Sequence, residues 1–160
     1  MFKKIYNWLT PASITSELSN GTDDEIFEEL LYLLQKTGKV TDSSIVRNDI
    51  AARFESGDFG LAESLVVPHA RSAGVSSLCA AAGIVNHNKI YVMVVWPENT
   101  VYSLKCISIL IKVLLNPDFE RSLMHSQNSD SVYEKIASEV NSLGISSKLF
   151  AKSLWSSVLL

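Results

Sequence analysis

Leu78–Trp96 reads LCAAAGIV-NHN-KIYVMVVW, two apolar runs on either side of the polar link Asn86-His87-Asn88. β-Branched and aromatic residues fill the second run, and a short polar link between two such runs predicts a β-hairpin, with strands over 78–85 and 89–96. Ile90 to Trp96 does not alternate apolar with polar residues. A continuous apolar run is the pattern of a strand covered on both faces, so helices must lie above and below it.

Working outward, a shorter extended run, Leu65-Val66-Val67, ends on Pro68 and His69. Upstream, Thr22-Asp23-Asp24-Glu25 has the arrangement of a capping box, with Ile26, Leu30, Leu33 and Leu34 at helical spacing before Gly38. A second helix is expected from Thr41–Ser43 to Gly57, with Val46, Ile50 and Phe54 on one stripe. After Pro97, Asn99 or Thr100 can cap a nearly all-apolar helix through Leu104, Ile107, Leu110, Ile111 and Leu114. Asn116-Pro117-Asp118 breaks it, and a short helix over Phe119–Met124 follows. Ser131-Val132-Tyr133-Glu134 reads as another capping box, with Val132, Ile136 and Val140 turned inward.

Helices, then strands, then helices predict one α/β domain whose small mixed β-sheet carries helices on both faces. Residues 1–21 read as a polar lead-in, in which Phe2, Ile5, Tyr6 and Leu9 fit a short amphipathic helix. The domain body spans 22–142, and 143–160 reads as an amphipathic helix or tail, with Phe150, Leu154, Trp155, Val158 and Leu159 along one side.

Composition narrows the function classes. The 160 residues are 47% hydrophobic and 19% charged, enough for one domain with a substantial core. A net charge of -3 without a Lys/Arg cluster argues against nucleic acid, which is bound by concentrated cations. The longest apolar stretch, Cys106–Leu115, is interrupted by Ser108 and Lys112 and falls short of the ~20 residues that span a bilayer. No membrane insertion is expected, and the expected location is cytoplasmic. Cys79 and Cys106 lie in apolar stretches outside any CxxC spacing and read as buried thiols.

His87 reads as an exposed turn residue and His125 as solvent-exposed, and neither pairs with His69 at a metal-ligand spacing, so no metal is expected. Gly57-Asp58-Phe59-Gly60 contains the triplet that holds magnesium in protein kinases, but no kinase glycine loop or HRD motif accompanies it. Neither a phosphate-binding P-loop nor a G-x-S-x-G elbow is present. His69 remains. Pro68 fixes its own φ, lacks an N–H and biases Val67 toward an extended backbone, so the chain entering His69 is restrained. The residues alone leave His69 open as a structural histidine or as a nucleophile or acid-base group. Arg53 and Arg71 would suit an anion held on the imidazole, and Ser103, near a helix start, could add a hydroxyl and a helix dipole.

Leu65-Val66-Val67-Pro68-His69-Ala70-Arg71 resembles the phosphorylation-site signature of the enzyme IIA components of the bacterial sugar phosphotransferase system, of the fructose-mannitol and nitrogen-regulatory type. The likeness extends back through Ser64, Glu63, Gly60 and Gly57 to Arg53, and forward to Leu114–Phe119 and the helix of 131–140, covering roughly 22–142. It departs at Asp58–Ser64, where the family commonly has a glycine-rich S-T-G-I-G-N-G, and at Ser103, where many members have a second histidine. The hairpin 79–96 is also shorter than the family's.

The resemblance implies that His69 accepts a phosphoryl group from the histidine-containing phosphocarrier protein, with Arg53, Glu63, Ser64, Arg71 and Ser103 in support and no cofactor or metal. An enzyme IIB or a regulatory target would be the next partner, and a homodimer is also considered. The alternative is a regulatory protein-binding module with the same fold and little phosphorylation. Either role needs a docking surface near His69, for which Phe59, Leu61 and Val75 are the candidates.

Overall fold

The computed structural model describes residues 8–56, 60–98 and 103–142. A 3-10 turn at Pro11–Ser13 leads into β1 (Ile14–Thr15), followed by α1 (Asp23–Gln35) and α2 (Ser43–Ser56). Next come the short strands β2 (Gly60–Ala62), β3 (Leu65–Val66) and β4 (His69–Arg71), then the long pair β5 (Cys79–Val85) and β6 (Lys89–Trp96). Helices α3 (Ser103–Leu114), α4 (Pro117–Met124) and α5 (Ser129–Ser142) complete the described fold. The strands form one mixed sheet in the order β1-β5-β6-β3-β2, with β4 also paired to β6.

The hairpin organises everything else. β5 and β6 pair antiparallel from Cys79↔Val95 to Val85↔Lys89. Asn86 and His87 at the turn adopt φ of 51° and 54°, the left-handed conformation that tight hairpin turns require. Alternate side chains point to opposite faces of a strand, and the core divides accordingly. Ala80, Ala82, Ile84, Ile90, Val92, Val94 and Trp96 join α3, α4 and α5 through Leu114, Leu123, Val132 and Ile136. Cys79, Ala81, Val85, Tyr91, Met93 and Val95 join α1 and α2 through Leu30, Leu34, Val46 and Ile50.

Several expectations move. Trp8, Leu9, Ile14 and Leu18, in the stretch read as a lead-in, are buried, and β1 pairs parallel with β5 at Ile14↔Ala82 and Thr15↔Gly83. Two-residue strands leave no periodicity, which is why the sequence hid this one. The short helix expected around Phe2–Leu9 falls, apart from its last residues, outside the described residues, as do the cap at Asn99 or Thr100 and the segment 143–160. The helix assigned to a Ser131 capping box begins three residues earlier, because the Asn128 side chain accepts the Ser131 N–H at 2.8 Å. Asn and Ser are near-equal caps, and both stand at the right distance from the apolar run.

The first helix is as expected: Thr22 Oγ1 accepts the Glu25 N–H at 3.2 Å, and Gly38 follows the helix at φ +76°, a conformation that suits glycine. Asp42 caps α2, its carboxylate accepting the Ser44 and Ile45 N–H groups at 3.0 and 3.3 Å. Among the described residues, no helix is long and apolar enough to cross a membrane.

Candidate functional site

β3 and β4 are one strand interrupted at Pro68. Both pair parallel with β6 in a single register, Leu65↔Ile90 and Val66↔Tyr91 continuing as His69↔Val94, Ala70↔Val95 and Arg71↔Trp96. The break falls where proline has no N–H to give. Leu65 and Val67 pack into the α3–α5 side of the core, and the two-residue period carries His69 onto that side. Ala70 packs on the α1–α2 side.

Backbone polarity then orients the imidazole. Ile90 and Val94 donate to the Ser64 and Pro68 carbonyls at 2.8 and 2.9 Å, so the intervening carbonyl of Val67 points away from β6. On that side β2 reaches only to the Gly60↔Val66 pair, and no other described strand flanks Val67. The free carbonyl accepts a hydrogen bond from His69 Nδ1 at 2.8 Å.

Arg53, in the last turn of α2, places Nη2 3.5 Å from His69 Nε2. The two contacts fit the same tautomer. Nδ1 beside a carbonyl must carry the hydrogen, and Nε2 beside a guanidinium must present its lone pair. The helix bearing Arg53 is tied to the strand bearing His69, because Thr41 and Asp42 donate to the Gly74 carbonyl at 2.8 and 3.1 Å. The approach there is close: a Cβ on residue 74 would stand 2.5 Å from the Asp42 carbonyl oxygen.

His69 opens onto a cleft of about 500 Å3 lined by Asp49, Ala52, Arg53, His69, Ala70, Arg71 and Trp96. A nucleophilic nitrogen beside the Arg53 guanidinium, in a cleft that Arg71 also lines, suits a phosphoryl or similar planar-faced anion. The structure therefore brings Arg53, His69 and Arg71 together. Ser64 is placed elsewhere, its hydroxyl donating to the Glu120 carboxylate of α4. Glu63 is exposed in the β2–β3 turn and does not line the cleft. Ser103 opens α3, and its side chain lies outside the described residues.

Of the docking candidates, Phe59 and the Leu61 side chain lie outside the described residues. Val75 is corrected: it is 5% exposed, drawn into the α1–α2 core by its bridge to Val40. Asp49, Ala52 and Trp96 are site-lining residues that sequence reasoning missed. Asp49 and Ala52 precede Arg53 on the same helix, so helical spacing from Arg53 could have found Asp49. Trp96 carries no such signal, since only the parallel register places it beside His69.

The other imidazoles are tied to backbone, His87 Nδ1 to the Met124 carbonyl and His125 Nδ1 to that of Arg121, each at 2.8 Å. Burial pushes the Cys79 thiol up to about 12, which makes it a poor nucleophile at neutral pH. The Cys106 side chain lies outside the described residues.

Solved structures with a similar fold are phosphotransferase-system IIA proteins. The family model described as "Phosphoenolpyruvate-dependent sugar phosphotransferase system, EIIA 2" matches residues 7–139, and the chain belongs to that family. It is a phosphotransferase-system component of the IIA type. The nitrogen regulatory protein IIA-Ntr from Neisseria meningitidis has a similar structure, with TM-score 0.66 and 22% identity over 81% of this chain and 96% of that one. IIA mannitol from Escherichia coli is similar at TM-score 0.64 and 18% identity, covering 79% and 97% of the two chains. The fructose-specific EIIABC component of Bacillus subtilis (strain 168) is 22% identical over 145 residues, 83% of this chain. The chain spans 23% of that relative's length.

Proposed function

We propose that this chain is a phosphohistidine carrier of the cytoplasm that takes a phosphoryl group from the histidine-containing phosphocarrier protein onto His69 Nε2. The phosphoryl group then passes to an enzyme IIB or serves as a signal read by a regulatory target. The observation that carries the proposal is the opposed pair of contacts on one imidazole, Nδ1 to the Val67 carbonyl and Nε2 to Arg53.

In the transfer, the Nε2 lone pair forms the new N–P bond while the donor's N–P bond breaks and leaves its electron pair on the donor imidazole. Bond formation places positive charge on the His69 ring, and the Nδ1–H···O=C bond stabilises it. Arg53 moves from the lone pair to the phosphoryl oxygens, where it and Arg71 meet developing negative charge. One phosphoramidate replaces another, so the reaction is nearly thermoneutral and can run onward.

The test is incubation of the native chain and His69→Ala with phosphoenolpyruvate, enzyme I and the phosphocarrier protein. Acid-labile, base-stable phosphate is expected on the native chain alone. Equal labelling of both chains, or of neither, sinks the carrier reading. An unlabelled native chain that still binds the phosphocarrier protein would establish the binding-module alternative.

A further inference from the structure

Trp96 is 4% exposed, and its indole nitrogen is buried with no hydrogen-bond partner among the described residues. Buried donors are nearly always paired, so an unpaired one on the wall of a candidate site calls for a reason. The indole lies beside the His69 imidazole with ring centroids 6.2 Å apart and planes 12° apart, an offset stack. Strand register creates this pairing. His69 stands opposite Val94, and Trp96, two residues further along β6, projects from the same face.

Among the described residues, the side chains that line the cleft are poor in acceptors. Arg53 and Arg71 are donors only, and Nε2 of His69 already faces Arg53. Asp49 brings a carboxylate to the lining, yet the indole makes no bond to it. A phosphoryl group on His69 would bring three acceptor oxygens into the cleft that Trp96 lines.

We propose that Trp96 belongs to the transfer site, its stacked indole setting the plane of the imidazole and its N–H donating to a phosphoryl oxygen once His69 is loaded. The N–H donates without losing its proton, so the bonds made and broken are those already described. The inference rests on His69 as the acceptor.

Trp96→Phe keeps an aromatic plane and removes only the N–H, whereas Trp96→Leu removes both. The readouts are the initial rate of labelling by the phosphorylated phosphocarrier protein and the 1H–15N indole resonance of Trp96 in the full chain, assigned by its loss in Trp96→Phe. On labelling, the native resonance is expected to move downfield, with no movement in His69→Ala under the same conditions. Trp96→Phe should slow labelling about tenfold, the size of effect of one hydrogen bond to a charged group. Trp96→Leu should slow it further and raise the share of phosphate on Nδ1, read by 31P NMR. Native-rate labelling of Trp96→Phe with an unmoved indole resonance in the labelled native chain overturns this inference and leaves His69 as acceptor. Absence of label on the native chain overturns both.

Discussion

The β5–β6 hairpin and the broken strand β3–β4 lie side by side in one sheet, yet they do opposite work. Every residue of β5 is buried, as is β6 from Ile90 to Trp96, and a continuous ladder runs between them from Cys79↔Val95 to Val85↔Lys89. β3–β4 is short and interrupted at Pro68, and among the described residues its pairing with β2 goes no further than Val66. There the Val67 carbonyl holds His69 Nδ1, and Arg53 reaches Nε2 from α2. The hairpin forms the centre of the core, and the break at Pro68 lies beside the candidate site.

The largest effect should come from the hairpin. Ile90→Ala, at a position 1% exposed, should cost about 2–5 kcal/mol in urea unfolding. The folded fraction should still take label at His69. Unchanged stability would mean that the hairpin is not the stabilising half of the pair.

At the break in β3–β4 the pattern should reverse. Arg53 is exposed, so Arg53→Gln should leave the urea midpoint nearly unchanged while lowering the labelling rate on the order of tenfold to a hundredfold. A large loss of stability with a native rate would assign Arg53 to the scaffold instead.

A pH experiment sharpens the hairpin side. Tyr91 donates its hydroxyl to Asp23 Oδ1 at 2.9 Å, tying β6 to the first turn of α1. Burial, then the hydrogen bond and charge of Asp23, push its phenol up to about 12 from an ordinary 10. Between those values the unfolded chain loses the proton and the folded chain keeps it, so this stabilisation is complete below pH 10 and lost as pH rises through 12. The urea midpoint of native protein should therefore fall more steeply across that window than that of Tyr91→Phe. Parallel curves would remove Tyr91 from the account.

The smallest effect belongs to Ser64→Ala. It removes the bond to Glu120 that ties the β2–β3 turn to α4 and should cost about 1 kcal/mol. A labelling loss as large as that of Arg53→Gln would return Ser64 to the site.

What the sequence showed and what it hid follow the same division. Lys89–Trp96 was legible to its ends because eight consecutive residues report one environment. β1, β2 and β4, of two or three residues each, report too little, and their existence depends on partners far along the chain. Val75 looked available for docking because nothing in its neighbours reveals the bridge to Val40. Ser131 looked like a cap because Asn128 satisfies the same physical requirement three residues earlier.

For the site, the run Leu65–Arg71 singled out His69, and residue type made Arg53 and Arg71 candidates. Local chemistry determined that much: proline restrains the backbone before an imidazole, and guanidinium groups favour anions. Only the tertiary structure decided which ring nitrogen faces the cleft, that Arg53 reaches it while Ser64 turns to Glu120, and that Trp96 stacks beside it. Those outcomes depend on the parallel register of β3–β4 with β6 and on how α2 packs beside it, and pairing across the fold sets both.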